Sequence, residues 1–467
     1  MTPKGEIDTS FRSALRRLDD AGRVVKIARE VDTEFEVAGA MSELDGGPAV
    51  LFENVRGSSM PVLGNFLASE RNVEAALAVD RLGVRQLMER GLAEPIPPEI
   101  VEHADVQQVV HTDDIDLGAN LPVLRHAPGD GGRFITAGVV IARDPLTGIN
   151  NASYHRMQLL GGSRTAIKLD QGRHLRTIWD HAKELGADVP LVVAIGPDLS
   201  LLYAAAFMGS QMAFETDELA AAGGVRGAPL RLAAGITQDL PVPADSEIVL
   251  EATMSTSETA YEGPFGEFLG YHSDEGPAPV VDVTALMHRT DPVYVAINGA
   301  GQETVMLRKH VLEAAAYRSI HASTPIVNDV HLTAGGLHRF HLVLSVGKRS
   351  PQHDGLQRNA AMAAFGALKD LDLIVLVDDD IDIHNLRDVE YAIATRLEAS
   401  KGIVVVPGAR GHEYIRASAS GVRAKLIIDA TVPYAEKERF QRIGFVKPGL
   451  AESEKSTAKG SAAVPWL

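Results

Sequence analysis

The hexapeptide Glu262-Gly263-Pro264-Phe265-Gly266-Glu267 sets two carboxylates on either side of a Gly-Pro-aromatic-Gly turn, and Asp274 and Glu275 follow closely. Glycine tolerates positive φ and close backbone approach. Proline fixes its own φ and keeps the preceding residue out of the helical region. A stiff loop of this composition holds two acids at a set separation. Paired acids in unlike surroundings can divide proton-transfer work, because burial raises one pKa while a basic neighbour lowers the other. Taken alone, the stretch also reads as a surface turn with solvated glutamates, since both features are common.

A second unusual run is Asn150-Asn151-Ala152-Ser153-Tyr154-His155-Arg156, which gathers amides, hydroxyls, an imidazole and a guanidinium. At a strand period of two, Asn151 and Arg156 fall on opposite faces, and a bulge would let both reach one site. A polar edge strand explains the same residues equally well. Gly172-Arg173-His174 precedes a helix marked by Leu175, Ile178, Trp179, Ala182 and Leu185. The start of such a helix offers free N–H groups and the positive end of the dipole. Asp217-Glu218 opens a shorter helix, expected over 217–222 with Thr216 as cap and Gly223 as stop. There, acids are favoured by the dipole alone or could bind a cation. Asp378-Asp379-Asp380-Ile381-Asp382 is read as a solvated strand end capping a helix near Asn385, and His338-Arg339-Phe340-His341 as structural.

The elements that must position these groups fall into three sections. In the first hundred residues, helix 11–21 stops at Gly22 and short strands lie at 24–27, 49–52 and 62–63. Thr33 and Glu36 suggest a capping box, and Asp80 a cap for the helix through Leu87. Residues 107–300 are richer in strands, at 107–111, 134–142, 165–169, 190–195, 229–234, 247–253, 279–286 and 292–297, which points to a barrel or sandwich. Residues 303–432 alternate helix and strand. Helices are expected at 303–319, 355–369 and 385–398, with strands near 325–330, 340–346, Leu373–Val377 and 402–406, a pattern of parallel β-sheet. Leu373–Val377 is apolar throughout, as for a strand buried on both faces. A last helix is expected over 434–443, and residues 451–467 read as a mobile tail.

At 467 residues the chain is long enough for two or three cores. Its 45% hydrophobic and 23% charged content is that of a globular protein, and a net charge of −17 disfavours nucleic acid and anionic membranes as partners. The absence of cysteine excludes disulfides, thiol nucleophiles and thiolate metal sites. No apolar run reaches membrane-spanning length, and a cytoplasmic location is the simplest expectation. GxGxxG after a strand, P-loop, HExxH and GxSxG motifs are missing, which disfavours several common nucleotide enzymes and hydrolases.

In this order and at these spacings the segments resemble the UbiD family of reversible, non-oxidative decarboxylases that use prenylated FMN. The likeness covers almost the whole chain. Gly46–Val55 with Pro61–Asn65 resembles the family's N-terminal signature, and Val377–Asp382, Ala394–Arg396 and Asp429–Thr431 its C-terminal ones. The resemblance implies an N-terminal α/β domain (1–106), a central split β-barrel that binds the flavin (107–302) and a C-terminal α/β domain with a mostly parallel sheet (303–450). It gives metal-ligand roles to Asn151, His174 and Glu218, for Mn²⁺ or Mg²⁺ at the flavin phosphate, with K⁺ nearby. Ser153, Tyr154, Arg156 and Arg173 join these as cofactor-binding residues, and Arg156, Glu262 and Glu267 form a Glu-Arg-Glu catalytic network.

Two departures from the family pattern stand out. The residue before the ligand His is Arg173, a fixed cation that can face the cofactor or a second acidic group on a substrate. Asp372 occupies the place of a lysine common in the family, with Lys369 the nearest base. The implied reaction removes CO₂ from an aromatic, heteroaromatic or α,β-unsaturated acid. Arg156 would pair with the substrate carboxylate and Glu262, and Glu267 would protonate the carbon. Pocket candidates such as His321 and Leu337 have no residue-level support. A prenyl-FMN synthase is the implied cofactor supplier, and a homodimer or hexamer the implied assembly. The alternative is a non-catalytic flavin- or phosphate-binding homologue. The intact Arg156, Glu262 and Glu267 argue against it.

Overall fold

The structure, a computed structural model, describes residues 5–207, 216–418 and 420–444. The tail expected over 451–467 lies outside the described residues. The first section forms a four-stranded sheet in the order Val24–Ile27, Ala49–Phe52, Val62–Gly64, Tyr294–Val295, flanked by the helices Phe11–Asp20, Glu36–Glu43, Glu70–Leu77 and Arg81–Ala93. Its last strand arrives from the far end of the central section and runs parallel to Val62–Gly64. The expected 292–297 strand therefore completes the N-terminal sheet. One continuous apolar core spans both sections.

The central section is a nine-stranded sheet whose pairings are all antiparallel. Its spine is the hairpin of Ile248–Glu262 and Gly276–His288, the two longest strands, paired from Ile248↔His288 to Glu262↔Gly276. Val189–Ile195, Val139–Arg143 and Asn150–Tyr154 extend it on one side, Arg164–Ile167, Met157–Gly161 and Phe134–Ile135 on the other, and the ninth strand, Val109–His111, pairs with the far end of Gly276–His288. The two ends of this path do not pair with each other among the described strands.

The helix Gln302–Ser323 leads into the C-terminal section and buries residues around its whole circumference, among them Val305, Leu307, Lys309, Val311, Glu313 and Ala316. That explains why no single apolar stripe marks it. It packs on the helices Arg81–Ala93 and Leu356–Ala367 and on the strand Val327–Leu332. The five-stranded sheet beyond runs Val327–Leu332, His341–Val346, Leu373–Asp378, Val422–Asp429, Ile403–Arg410. It is parallel in its interior and antiparallel at both edges. Leu373–Asp378 is buried from its second residue on, as its apolar run predicts.

Local expectations diverge where a side chain had a better partner. Glu36 does reach back to a backbone N–H, at Asp32, 2.8 Å away, but Phe35 takes the cap position with φ 71° and Thr33 does not cap. Asp217 caps Glu218–Arg226, and that helix runs on to a left-handed Gly227, so neither Thr216 nor Gly223 bounds it. Asp80 caps its helix as expected, accepting from the Gly83 N–H at 2.8 Å. Asp378 is not solvated. It is buried against Arg396 and the Val432 N–H, while Asn385 caps Leu386–Arg396. Residues Tyr434–Phe440 form a 3₁₀ rather than an α-helix. Among the described residues no helix is long and apolar enough to cross a membrane.

Candidate active site

The hairpin spine delivers the hexapeptide. Ile248–Glu262 ends on Glu262 itself, its partner strand begins at Gly276, and the residues between form the connection. Gly263 takes φ +94°, which a side chain would strain, whereas Gly266 adopts no such conformation and has open space at its Cβ position. The turn is tied down from several directions. The Gly263 N–H donates to Gln158 Oε1 (2.8 Å), the Gly266 N–H to Asp130 Oδ1 (3.0 Å) and the Gly131 N–H to the Pro264 carbonyl (2.7 Å). Phe265 is buried against Phe134, with ring centroids 4.6 Å apart.

Arg156 lies between the two acids. Its Nε and Nη2 donate to Glu262 Oε1 and Oε2 at 2.6 and 3.0 Å, its Nη1 donates to Glu267 Oε1, and Nη2 also reaches Ser273 Oγ at 3.0 Å. Its guanidinium sits 5.1 Å from the Phe265 ring centroid. Burial opposes the charge of Arg156, but the Glu262 and Glu267 carboxylates more than offset it and hold the guanidinium above its ordinary pKa. The two acids differ in surroundings. The Glu262 side chain is 3% exposed and gripped by a two-bond fork, whereas that of Glu267 is 23% exposed and makes one contact with Arg156. One acid is fixed as a counter-ion, and the other keeps an oxygen accessible. The strand Asn150–Tyr154 ends before Arg156, and the next begins at Met157. A break between strands, rather than a bulge within one, frees Arg156 to turn toward the acids.

A second cluster lies on the same strand. Glu218, first residue of its helix, is buried. Its Oε1 accepts from Asn151 Nδ2 at 2.9 Å and lies 3.5 Å from His174 Nδ1, and its Oε2 accepts from the Ala152 N–H at 3.3 Å. Burial pushes the Glu218 carboxyl above the usual range, with His174 and the Ala152 N–H working the other way. Among the described residues no three of His, Cys, Asp and Glu gather to hold a metal, so the amide of Asn151 must complete any such set. A carboxylate, an amide oxygen and an imidazole are donors a hard divalent cation accepts, and a buried carboxylate is the group a cation would relieve. The residues fit a cation here.

Around the two clusters lie residues that spacing did not reveal. His155 Nδ1 lies 3.1 Å from the Lys168 carbonyl oxygen, and its Nε2 lies 3.1 Å from Ser153 Oγ. Burial lowers its pKa to about 4, so the ring is neutral. A carbonyl can only accept, so Nδ1 carries the proton and Nε2 is the acceptor. The single Ser153 hydroxyl proton is then contested by His155 Nε2 and by Asn151 Oδ1 at 3.0 Å. The Tyr154 hydroxyl is instead buried without a hydrogen-bond partner, near Glu303 and Tyr203.

Arg173 holds the N-cap position ahead of His174–Glu184. Arg339, read as structural, is buried and gives Asp370 two bonds at 2.8 and 2.6 Å. Phe268, Phe340, Val305 and Leu337 form a small apolar cluster beside it. His321 does not belong there; it stacks on Tyr317 and bonds the Val327 carbonyl at 2.9 Å. Asp372 pairs with Arg423, and Lys369 with Asp370 at 3.0 Å. Arg308, half-buried on Gln302–Ser323, carries no motif, because a lone arginine on a long helix gives no sequence signal.

Comparison with known proteins bears on what this geometry does. Residues 15–90, 99–301 and 305–430 match the N-terminal, Rift-related and C-terminal domains of 3-octaprenyl-4-hydroxybenzoate carboxy-lyase, UbiD. The chain is 33% identical to anhydromevalonate phosphate decarboxylase of Methanothermobacter thermautotrophicus, over 93% of this chain and 99% of that protein. It is 30% identical to gallate decarboxylase of Lactiplantibacillus plantarum, over 91% and 94%. The fold superposes on the UbiD-class enzyme HmfF of Pelotomaculum thermopropionicum in complex with FMN, at 35% identity and TM-score 0.89, covering 94% of this chain and 98% of that one. An evolved dimeric form of HmfF in complex with prFMN matches at 32% identity and TM-score 0.86, over 96% and 99%.

Proposed function

This chain belongs to the UbiD family of carboxy-lyases, and on that premise we propose that it is a prenylated-FMN-dependent decarboxylase of an aromatic, heteroaromatic or α,β-unsaturated carboxylic acid. One observation carries the reading. A single guanidinium, Arg156, is held between two carboxylates of unequal burial on one clamped turn. A protein that only bound a flavin would have no use for that arrangement.

When bound, prenylated FMN supplies the electron sink for the pair left by departing CO₂. The chain's own residues do the rest. Arg156 faces the substrate carboxylate, and Glu262, through its fork, fixes the plane of that guanidinium. Glu267, with one oxygen accessible, delivers the proton to the carbon that loses CO₂. Asn151, His174 and Glu218 would hold Mn²⁺ or Mg²⁺ as an anchor for the cofactor phosphate, with Ser153 orienting Asn151. A K⁺ ion belongs to the same reading, without assigned residues. So do a prenyl-FMN synthase as supplier, a homodimer or larger assembly, and the division into 1–106, 107–302 and 303–450. Substrate entry would use relative motion of the central and C-terminal parts, across contacts such as Tyr414 Oη to Asp170 Oδ1 at 2.8 Å.

Relatives at similar identity are named for different acids, so kinship does not choose the substrate. The test is to purify the protein after co-expression with a prenyl-FMN synthase, record its visible spectrum and ligand mass, and assay CO₂ release from a panel of unsaturated acids. A flavin of prenylated mass together with turnover of at least one acid is expected. A fully loaded protein that decarboxylates none of the panel refutes catalysis. A colourless protein refutes the cofactor site.

A further inference from the structure

Several cations around the candidate site have an acid. Arg156 has Glu262 and Glu267, Arg339 has Asp370, and Lys369 shares Asp370. On the helix Gln302–Ser323, Lys309 is fully buried and pairs with Glu70 at 2.7 Å and Glu313 at 2.9 Å. Others do not: the side chains of Arg133 and Lys168 are half-buried without a hydrogen bond or ion pair to a described residue, Lys168 lying 5.8 Å from the Tyr414 ring centroid, and two further arginines share that condition. The guanidinium groups of Arg173 and Arg308 are half-buried, and neither makes a hydrogen bond or ion pair with any described residue. They come from different elements, the start of His174–Glu184 and the second turn of Gln302–Ser323.

They nevertheless share one neighbourhood. Both act on the partly buried His155 ring. Arg308 feels burial first, then the charges of Arg339 and Arg173 against it and of Glu267 and Asp370 in its favour. Arginine does not escape such a penalty by losing its proton. The protein therefore holds two positive charges without a direct acid partner on the Glu267 side of the site, beside the apolar cluster of Phe268, Phe340 and Val305. A half-buried charge without a partner costs free energy that a bound anion recovers.

We propose that Arg308, assisted by Arg173, is a specificity determinant that recognises a second anionic group on the substrate, so that the acid turned over is a dianion carrying a further carboxylate or a phosphate on its unsaturated frame. This rests on the decarboxylase reading above. Arg156 is already committed to its two glutamates and the reacting carboxylate, and of the unpaired cations Arg308 is the one that shares its surroundings with both Glu267 and Arg173. The planar fork of arginine suits either oxyanion. The apolar wall suits the frame between the two ends. The cofactor phosphate is the other possible source of negative charge, and Arg173, next to His174, is the better placed of the two to meet it. Arg308 distinguishes the cases.

The experiment uses the loaded enzyme and matched acids that differ only in a second carboxylate or a phosphate. Wild type is expected to favour the dianion in kcat/KM, and Arg308→Gln to reduce that preference roughly 10- to 100-fold, chiefly through KM, with flavin content unchanged. Equal kcat/KM for mono- and dianion in wild type overturns the proposal, as does an Arg308→Gln variant with an intact preference. Loss of flavin in Arg308→Gln assigns the arginine to the cofactor phosphate and also overturns it. Calorimetric binding of the same acids separates this inference from the reaction. Tighter binding of the dianion, lost in Arg308→Gln, upholds the second-anion site even if no acid is decarboxylated.

Discussion

Glu267→Gln isolates the proton delivery proposed for this side chain. The substitution keeps the side-chain shape and removes the ionisable proton. Arg156 keeps its two-bond fork to Glu262 at 2.6 and 3.0 Å, so the guanidinium stays compensated and oriented. The turn is held by Gln158, Asp130 and Gly131, none of which touches the Glu267 carboxylate. A side chain 23% exposed with one charged contact contributes at most about 1 kcal/mol to stability. The catalytic cost is larger. A positioned acid is worth about 10²- to 10⁴-fold, or roughly 3–5 kcal/mol of barrier. The assay is CO₂ release together with solvent deuterium entering the product, alongside flavin content and thermal unfolding. Glu267→Gln should retain flavin and fold while turnover falls at least about 10²-fold. Turnover within about threefold of wild type refutes the assignment. A loss of activity that tracks a loss of flavin places Glu267 in cofactor binding instead.

Two further outcomes follow from buried carboxyls. Glu218→Gln removes the one carboxylate of the Asn151–His174–Glu218 set and should lower bound divalent metal, read by elemental analysis, together with flavin content. Its apo form should fold as well as wild type, since the burial penalty on Glu218 goes with it. Unchanged metal and flavin would dismiss the cation site. Glu303 is buried, accepts from the Leu67 N–H at 2.8 Å, and has its pKa raised by burial to about 7. Its contribution to stability is complete below the unfolded value near 4.5 and is lost as pH rises through about 7. Glu303→Gln should match wild type near pH 4 and exceed it at pH 8 by up to about 3 kcal/mol in urea unfolding. Parallel stability–pH curves for the two proteins would contradict this.

The family signatures, the clamped turn and most elements were legible in the residues themselves. Strands such as Val189–Ile195 and Leu373–Asp378 follow from short-range apolar pattern, and Asp80 from cap chemistry. Glu262 and Glu267 stood out because a Gly-Pro turn with flanking acids is a local feature. Where partners are distant, local rules failed. Thr33 lost the cap to a backbone that bends at Phe35, and Asp378 went inside because Arg396 and the Val432 N–H were there to receive it.

Burial and pairing across the chain were decided only in three dimensions. Sequence names Arg156, Glu262 and Glu267, but the fold sets one acid 3% and the other 23% exposed, and so gives them unlike surroundings. It names Asn151, His174 and Glu218, but a break after Tyr154 decides that Arg156 can serve a second cluster from the same run. Arg308 had no motif at all. Its interest lies in what does not pair with it among the described residues, and an unmet charge is a property of the assembled surroundings, which the order of residues along a helix does not specify.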